Sequence, residues 1–257
     1  MSLNIPIRGN TQLEKAVERI DSSERLNTLW AASNVTAIDR MRINDHGPVH
    51  IRIVTNIALK LLRLLVQGTI VPNVVKDHNL SGQDAEVIVV LAAALHDIGH
   101  VIHRDDHEQL SLFLAPQLIQ EFLDGIYPER EKTILEGEIL HAIYAHRRNI
   151  SPLTVEAGVV KVADALDMEA GRARIPFTAG ETTIHSVSAM AIKKVTLKKG
   201  EDRPVKIQVK MSNSAGIYQL DNLLREKLRN SGIAQYFEVI GEISGEEKKI
   251  VERYTIE

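Results

Sequence analysis

The sequence contains no cysteine. Disulfides, thiolate zinc sites and cysteine nucleophiles are therefore excluded. Aromatic residues make up only 4%. Tyr218, Tyr236, Phe237 and Tyr254 are too few and too apolar in setting to support stacking on nucleic-acid bases. No apolar run reaches the roughly 18 residues of a membrane span. The N-terminal MSLNIPIRGN has no basic-then-apolar leader. A soluble, cytoplasmic protein without a membrane partner is expected. A dominant charge is missing too, since 31 basic against 34 acidic side chains leave −3. That balance gives no general reason to expect nucleic-acid binding. What remains is ordinary globular composition, 44% apolar and 25% charged over 257 residues. Such a chain can bury a substantial core without covalent staples.

Histidine is the informative surplus. Nine of the ten lie between His46 and His146, and only His185 lies later. Charge is also uneven: residues 185–257 carry 13 basic and 10 acidic side chains, against 18 and 24 before them. These shifts predict a helical domain over 1–180 and a small α+β domain over 181–257. The junction falls near IPFTAG.

The first region has helical periodicity. After Asp45-His46-Gly47-Pro48, apolar residues recur through IRIVTNIALKLLRLLV at helical spacing. Ser81 as N-cap with Asp84 three residues on opens EVIVVLAAALHDIG. That run is apolar almost all round, which predicts a buried central helix. Further helices are expected from Asp106 to Asp124, from Glu129 to His146, and through TVEAGVVKVADALDMEAG. The second region changes period. AIKKVTLKKG and RPVKIQVKMS alternate apolar and polar residues, as half-buried strands do. IYQLDNLLREKLRNSG is an amphipathic helix, and YFEVIGEI and KKIVERYTIE are two more strands. The fold class expected is mainly α: a helical bundle followed by a small β-β-α-β-β unit with an antiparallel sheet. Its edge strands could pair between subunits, so a homo-oligomer is expected.

His96-Asp97 is the sharpest local feature. It sits where the very apolar LAAALHD ends, and burying an unpaired carboxylate is costly. A divalent metal would be one partner; a salt bridge or a helix cap would be another. The pair has company. His50 opens one apolar helix, and Asp164 lies inside another, in VVKVADALD. His50, His96, Asp97 and Asp164 together would suit Mn, Fe, Co, Ni, Zn or Mg.

His50 followed by IRIV, LHDIGH at 95–100 and VADALD at 162–167 resemble the motifs of the HD-domain metal-dependent phosphohydrolases. The resemblance spans residues 40 to 175. It implies a helical bundle, one or two divalent metal ions and hydrolysis of a small-molecule phosphate ester. It assigns metal-ligand roles to His50, His96, Asp97 and Asp164. His107 and His146 stand where further histidines complete a second metal site or bind phosphate in many members. His100 follows the HDIG sequence where many members carry lysine, which resembles the triphosphohydrolase branch. The GYP signature of the cyclic-dinucleotide branch is absent. No particular substrate follows from the resemblance.

The remaining candidates have two readings each. Asp97 would be ligand and anchor for the attacking water, with His107 or His146 as general acid/base or phosphate ligand. Arg147 and Arg148 could clamp phosphate oxygens, or simply complement a helix C-terminus. Arg172 has the same two readings. His46 is a turn residue or an outer partner. His103, His78 and His185 read as surface residues. The leading expectation is an HD-domain hydrolase acting on a nucleotide or related small molecule. The alternative is a nucleotide sensor with a non-catalytic HD site.

Overall fold

The computed structural model describes residues 1–171, 184–244 and 253–256. Two helices come first, α1 (Thr11–Ser22) and α2 (Glu24–Asn34). Each is opened by a side-chain cap: Asn10 accepts from the Leu13 amide, and Ser23 from that of Leu26. A turn of π-helix, Val35–Arg40, follows α2. The long α3 (Pro48–Gln67) begins with proline in its first turn, where the missing N–H costs nothing. A short α4 spans Asn73–His78.

The central helix is α5 (Gly82–Leu95), and Ser81 and Asp84 form its capping box. Every residue from Val87 to Leu95 is buried, as its all-round apolar pattern requires. It packs against α1, α3, α7 (Glu129–Ala145) and α8 (Val155–Leu166). α6 (His107–Leu123) closes the bundle against α7. The helices expected around Asp106–Asp124 and Glu129–His146 are therefore present, each ending within a residue of its expected bound. Among the described residues, no helix is long and apolar enough to cross a membrane.

Trp30 of α2 fastens the end of α5. Its indole is buried and Nε1 donates to the Ala94 carbonyl at 2.8 Å. Trp30→Ala is expected to cost about 3–5 kcal/mol, read as a lower urea midpoint. An unchanged midpoint would contradict this anchoring role.

The C-terminal region begins with α9 (Ile184–Ala191) and runs directly into β1 (Ile192–Lys199). β2 (Val205–Met211), β3 (Phe237–Ile243) and β4 (Arg253–Ile256) complete a sheet in the order β1-β2-β3-β4. The sheet is mixed. β1/β2 and β3/β4 are antiparallel, but β2 and β3 run parallel, with Val205 opposite Phe237 and Met211 opposite Ile243. This corrects the expectation of an antiparallel sheet. The physical reason is the connection: a helical crossover carries the chain back to its starting end, so the next strand runs parallel. That crossover contains a π-turn, Gln219–Leu224, and α10 (Arg225–Arg229). One continuous apolar cluster joins Leu3, Trp30 and α5 to Ile192, Val209 and Phe237. The IPFTAG junction lies outside the described residues.

Candidate metal centre

Helix ends build the site. His50 lies in the first turn of α3, and His96 caps the C-terminus of α5. Asp97 follows it, before a single 3-10 turn, Ile98–Val101, that carries His100. His107 starts α6, His146 caps α7, Asp164 is in the last turn of α8, and Asp167 caps α8. Polar side chains at helix ends can leave the apolar stripes intact while still converging on one point. The turn after Asp97 is pinned to α6 by Ser111. Its hydroxyl donates to the His96 carbonyl at 2.7 Å and accepts from the Gly99 amide at 2.8 Å.

Asp97 is the hub. On its Oδ2 side lie His50 Nε2 at 3.2 Å and His96 Nε2 at 3.4 Å. Asp164 Oδ1 is 3.5 and 3.9 Å from the same two nitrogens. On its Oδ1 side lie His107 Nε2 at 3.3 Å and His146 Nε2 at 3.8 Å. The imidazoles thus form two pairs, and within each pair the Nε2 atoms are 3.3 Å apart.

The other ring nitrogens set the tautomers. His50 Nδ1 is 2.6 Å from Asp167 Oδ2, and His96 Nδ1 is 2.8 Å from the Ala93 carbonyl. His146 Nδ1 is 2.5 Å from the Ile143 carbonyl. His107 Nδ1 has two acceptors, the Arg104 carbonyl at 2.9 Å and Glu108 Oε2 at 3.4 Å. Each Nδ1 therefore carries the proton, and each Nε2 turns a lone pair toward Asp97. Facing lone pairs repel unless a cation lies between them. Asp97 Oδ2, buried, correspondingly lacks a hydrogen-bond donor.

Burial and neighbouring charges shift three groups of this cluster. Burial alone drives the Asp97 carboxyl up. The surrounding imidazoles, His96 and His100 first and then His107 and His50, oppose it and hold it well below the ordinary carboxylate range. Burial pushes His100 down to about 3. Burial, with His96 and His107 alongside, also pushes His146 well below its ordinary value. A carboxylate faced by several imidazole nitrogens is the donor set of a divalent metal site. The donor atoms of His50, His96 and Asp97 lie within 4.8 Å of one another, as do those of Asp97, His107 and His146. The residues present therefore fit a divalent ion.

Comparison with known proteins agrees with this geometry. The HD-domain family model matches residues 49–169. An uncharacterized protein of Methanocaldococcus jannaschii is 42% identical over 239 residues, spanning 93% of this chain and 92% of that one. The chain belongs to the HD-domain family. In this HD-domain protein, the structure brings together His50, His96, Asp97, His107, His146 and Asp164. Arg147 lies beside them but is paired with Asp106 at 2.7 Å. Arg148 is turned outward onto Glu226. Arg172 lies outside the described residues, as does the side chain of His185. His103 is exposed, and His78 is 3.3 Å from Glu138.

Three polar neighbours of the HD-domain centre, Asp167, His100 and Arg104, were not singled out from the sequence as part of it, and a fourth, His46, was weighed only as a turn residue or an outer partner. Asp167 orients His50. His100 is buried, with Nε2 3.7 Å from Asp97 Oδ1 and 3.3 Å from Arg104 Nη1. His46, read as a turn residue or outer partner, is buried with its ring 4.3 Å from that of His100. A third donor group is thereby formed by His46, Asp97 and His100. Arg104 Nη1 also approaches His107 Nδ1 at 3.2 Å. The spacing signals existed: Asp167 is one helical turn beyond Asp164, and His100 one turn beyond Asp97. Asp167→Ala is expected to weaken manganese binding about 10–100-fold, because the His50 ring loses its orienting acceptor. Wild-type affinity in a manganese titration of this variant would remove Asp167 from the site.

Proposed function

We propose that this protein hydrolyses a phosphate ester, in a nucleotide or related small molecule, with two divalent ions sharing Asp97. One observation carries the reading: a single buried carboxylate stands between two imidazole pairs whose lone pairs face each other. His50, His96, Asp97 and Asp164 would hold one ion; Asp97, His107 and His146 would hold the other. A divalent ion supplies Lewis-acid polarisation of a phosphoryl oxygen and activates water near neutral pH.

The chain's own groups do the positioning. Asp167 and the Ala93, Arg104 and Ile143 carbonyls fix the four rings. Their facing Nε2 atoms favour ligand roles for His107 and His146 over a role as free proton carriers. Arg147, 28% exposed beside Asp106, is the arginine available to a phosphoryl oxygen. A cavity of about 720 Å³ opens beside His50 and Asp167, lined by Val49, Ile53, Ile57, Asn4 and Asn56 among others. Its size suits the organic part of a small ester, and its lining mixes apolar side chains with polar ones that include Asp45, Arg52 and Glu169.

The test uses the full chain loaded with manganese, cobalt or nickel. Phosphate release is followed from p-nitrophenyl phosphate, its bis ester and a nucleotide panel. Metal-dependent release that a chelator abolishes supports the reading. Nucleotide binding without turnover under every metal would assign the protein as a sensor instead.

A further inference from the structure

We propose that Lys227, carried by the C-terminal α+β region, is a phosphate-binding residue of the metal centre. The proposal rests on the phosphohydrolase reading and gives the C-terminal region a part in it. Lys227 lies on α10 and reaches across to α8, where its ammonium bonds Asp164 Oδ2. The other oxygen of the same carboxylate, Oδ1, faces His50 Nε2 and His96 Nε2. One carboxylate therefore separates this cation from the first imidazole pair.

An ammonium carries three N–H donors. Asp164 is the hydrogen-bond partner of Lys227 among the described residues. The side chain is 22% exposed, so donors remain for a group arriving from solvent. Of the other nearby cations, Arg148 is paired with Glu226 and Arg104 lies against His100, while Arg147 on Asp106 is the arginine already assigned to phosphate. Lys227 is thus a cation held directly on a carboxylate of the candidate ion cage.

Its position is set from both sides. Glu226, its neighbour in sequence, holds Arg148, two residues beyond His146. Asn230 Nδ2 donates to the Arg148 carbonyl at 2.9 Å. α10 is therefore tied to the end of α7 as well as to α8. Lys161 lies close by, buried, with its ammonium on the Arg147 carbonyl at 2.6 Å and the Ile150 carbonyl at 2.5 Å. Burial and then Lys227 push that amine down to about 8. Two lysines close to Asp164 make this edge of the centre favourable for an anionic ligand. A terminal phosphoryl group, as in a phosphate monoester, is the ligand class that fits.

The experiment measures inorganic phosphate affinity by calorimetry on the manganese-loaded full chain, for wild type, Lys227→Met and Lys227→Arg. Manganese stoichiometry and the melting temperature of the metal-free protein are recorded alongside. Lys227→Met is expected to weaken phosphate binding about 10–100-fold, the range for a charge-assisted hydrogen bond. Manganese stoichiometry should be retained, and Lys227→Arg should restore most of the affinity. Wild-type phosphate affinity in Lys227→Met overturns the proposal while leaving the metal-centre reading intact. Should Lys227→Met not fold, Lys227→Gln decides, with the same loss expected and unchanged affinity overturning it. A wild type that binds neither manganese nor phosphate removes the phosphohydrolase reading and this proposal together.

Discussion

Asp97→Ala is expected to lower metal-dependent phosphate release by about a thousandfold or more. Among the described residues Asp97 is the one shared by the donor groups on both sides, so its loss removes a ligand from each cage at once. The fold should survive. The polar contacts of the Asp97 side chain are with His50, His96, His100, His107 and His146, all at helix ends or turns, whereas the helices themselves are held by the apolar core. Burying a carboxylate costs solvation, so its removal in the metal-free protein should leave the melting temperature close to wild type. The kinetic assay and a thermal scan of the same preparation check both halves. Full activity in a folded Asp97→Ala protein would refute the proposed mechanism outright.

Gly99→Ala is expected to give the largest structural effect of any single methyl in the site. A Cβ there would lie 2.1 Å from the His107 carbonyl oxygen and 2.6 Å from the Ser111 amide nitrogen. Both are backbone atoms of α6, so no side-chain rotation relieves the clash. The turn after Asp97 and the start of α6 must separate. That movement breaks the Ser111 hydroxyl's bridge between the His96 carbonyl and the Gly99 amide and carries His107 away from His146. A cost of about 3 kcal/mol is expected for such overpacking, or a melting-temperature drop of about 6–12 °C for a chain of this size. The His50–His96 pair lies on the other side of Asp97 and should keep its ion. Differential scanning calorimetry with a manganese count checks both effects. A stable variant with two ions would show that α6 does not approach Gly99 as described.

The helices, and the convergence of the candidate ligands, were legible because one physical rule governs both. An Asp or His set in or at the end of an apolar run must have a partner: His96, Asp97 and His146 end such runs, and Asp164 lies inside one. His50 was legible from the helix it opens after Pro48. What the pattern could not reveal acts through another side chain or from another region. Asp167 touches His50 across 117 positions in sequence, and its role is to hold a ring nitrogen rather than to face the centre. His100 looked like a departure from the usual lysine, and only the tight turn shows it beside Asp97 and His46. Lys227 sits in an amphipathic helix where any lysine reads as solvated. The parallel pairing of β2 with β3 depends on the direction in which a helical crossover returns, and strand alternation carries no information about direction.

Metal content is the most direct test of the claim that Asp97 joins two ion sites. Elemental analysis of manganese-loaded protein should give two ions per chain in the wild type. His50→Ala and His146→Ala should each retain one, and Asp97→Ala should retain none at micromolar free metal. Each single-histidine variant removes one cage, whereas Asp97 belongs to both. One ion in the wild type, lost equally in all three variants, would contradict the shared carboxylate and reduce the centre to a single site.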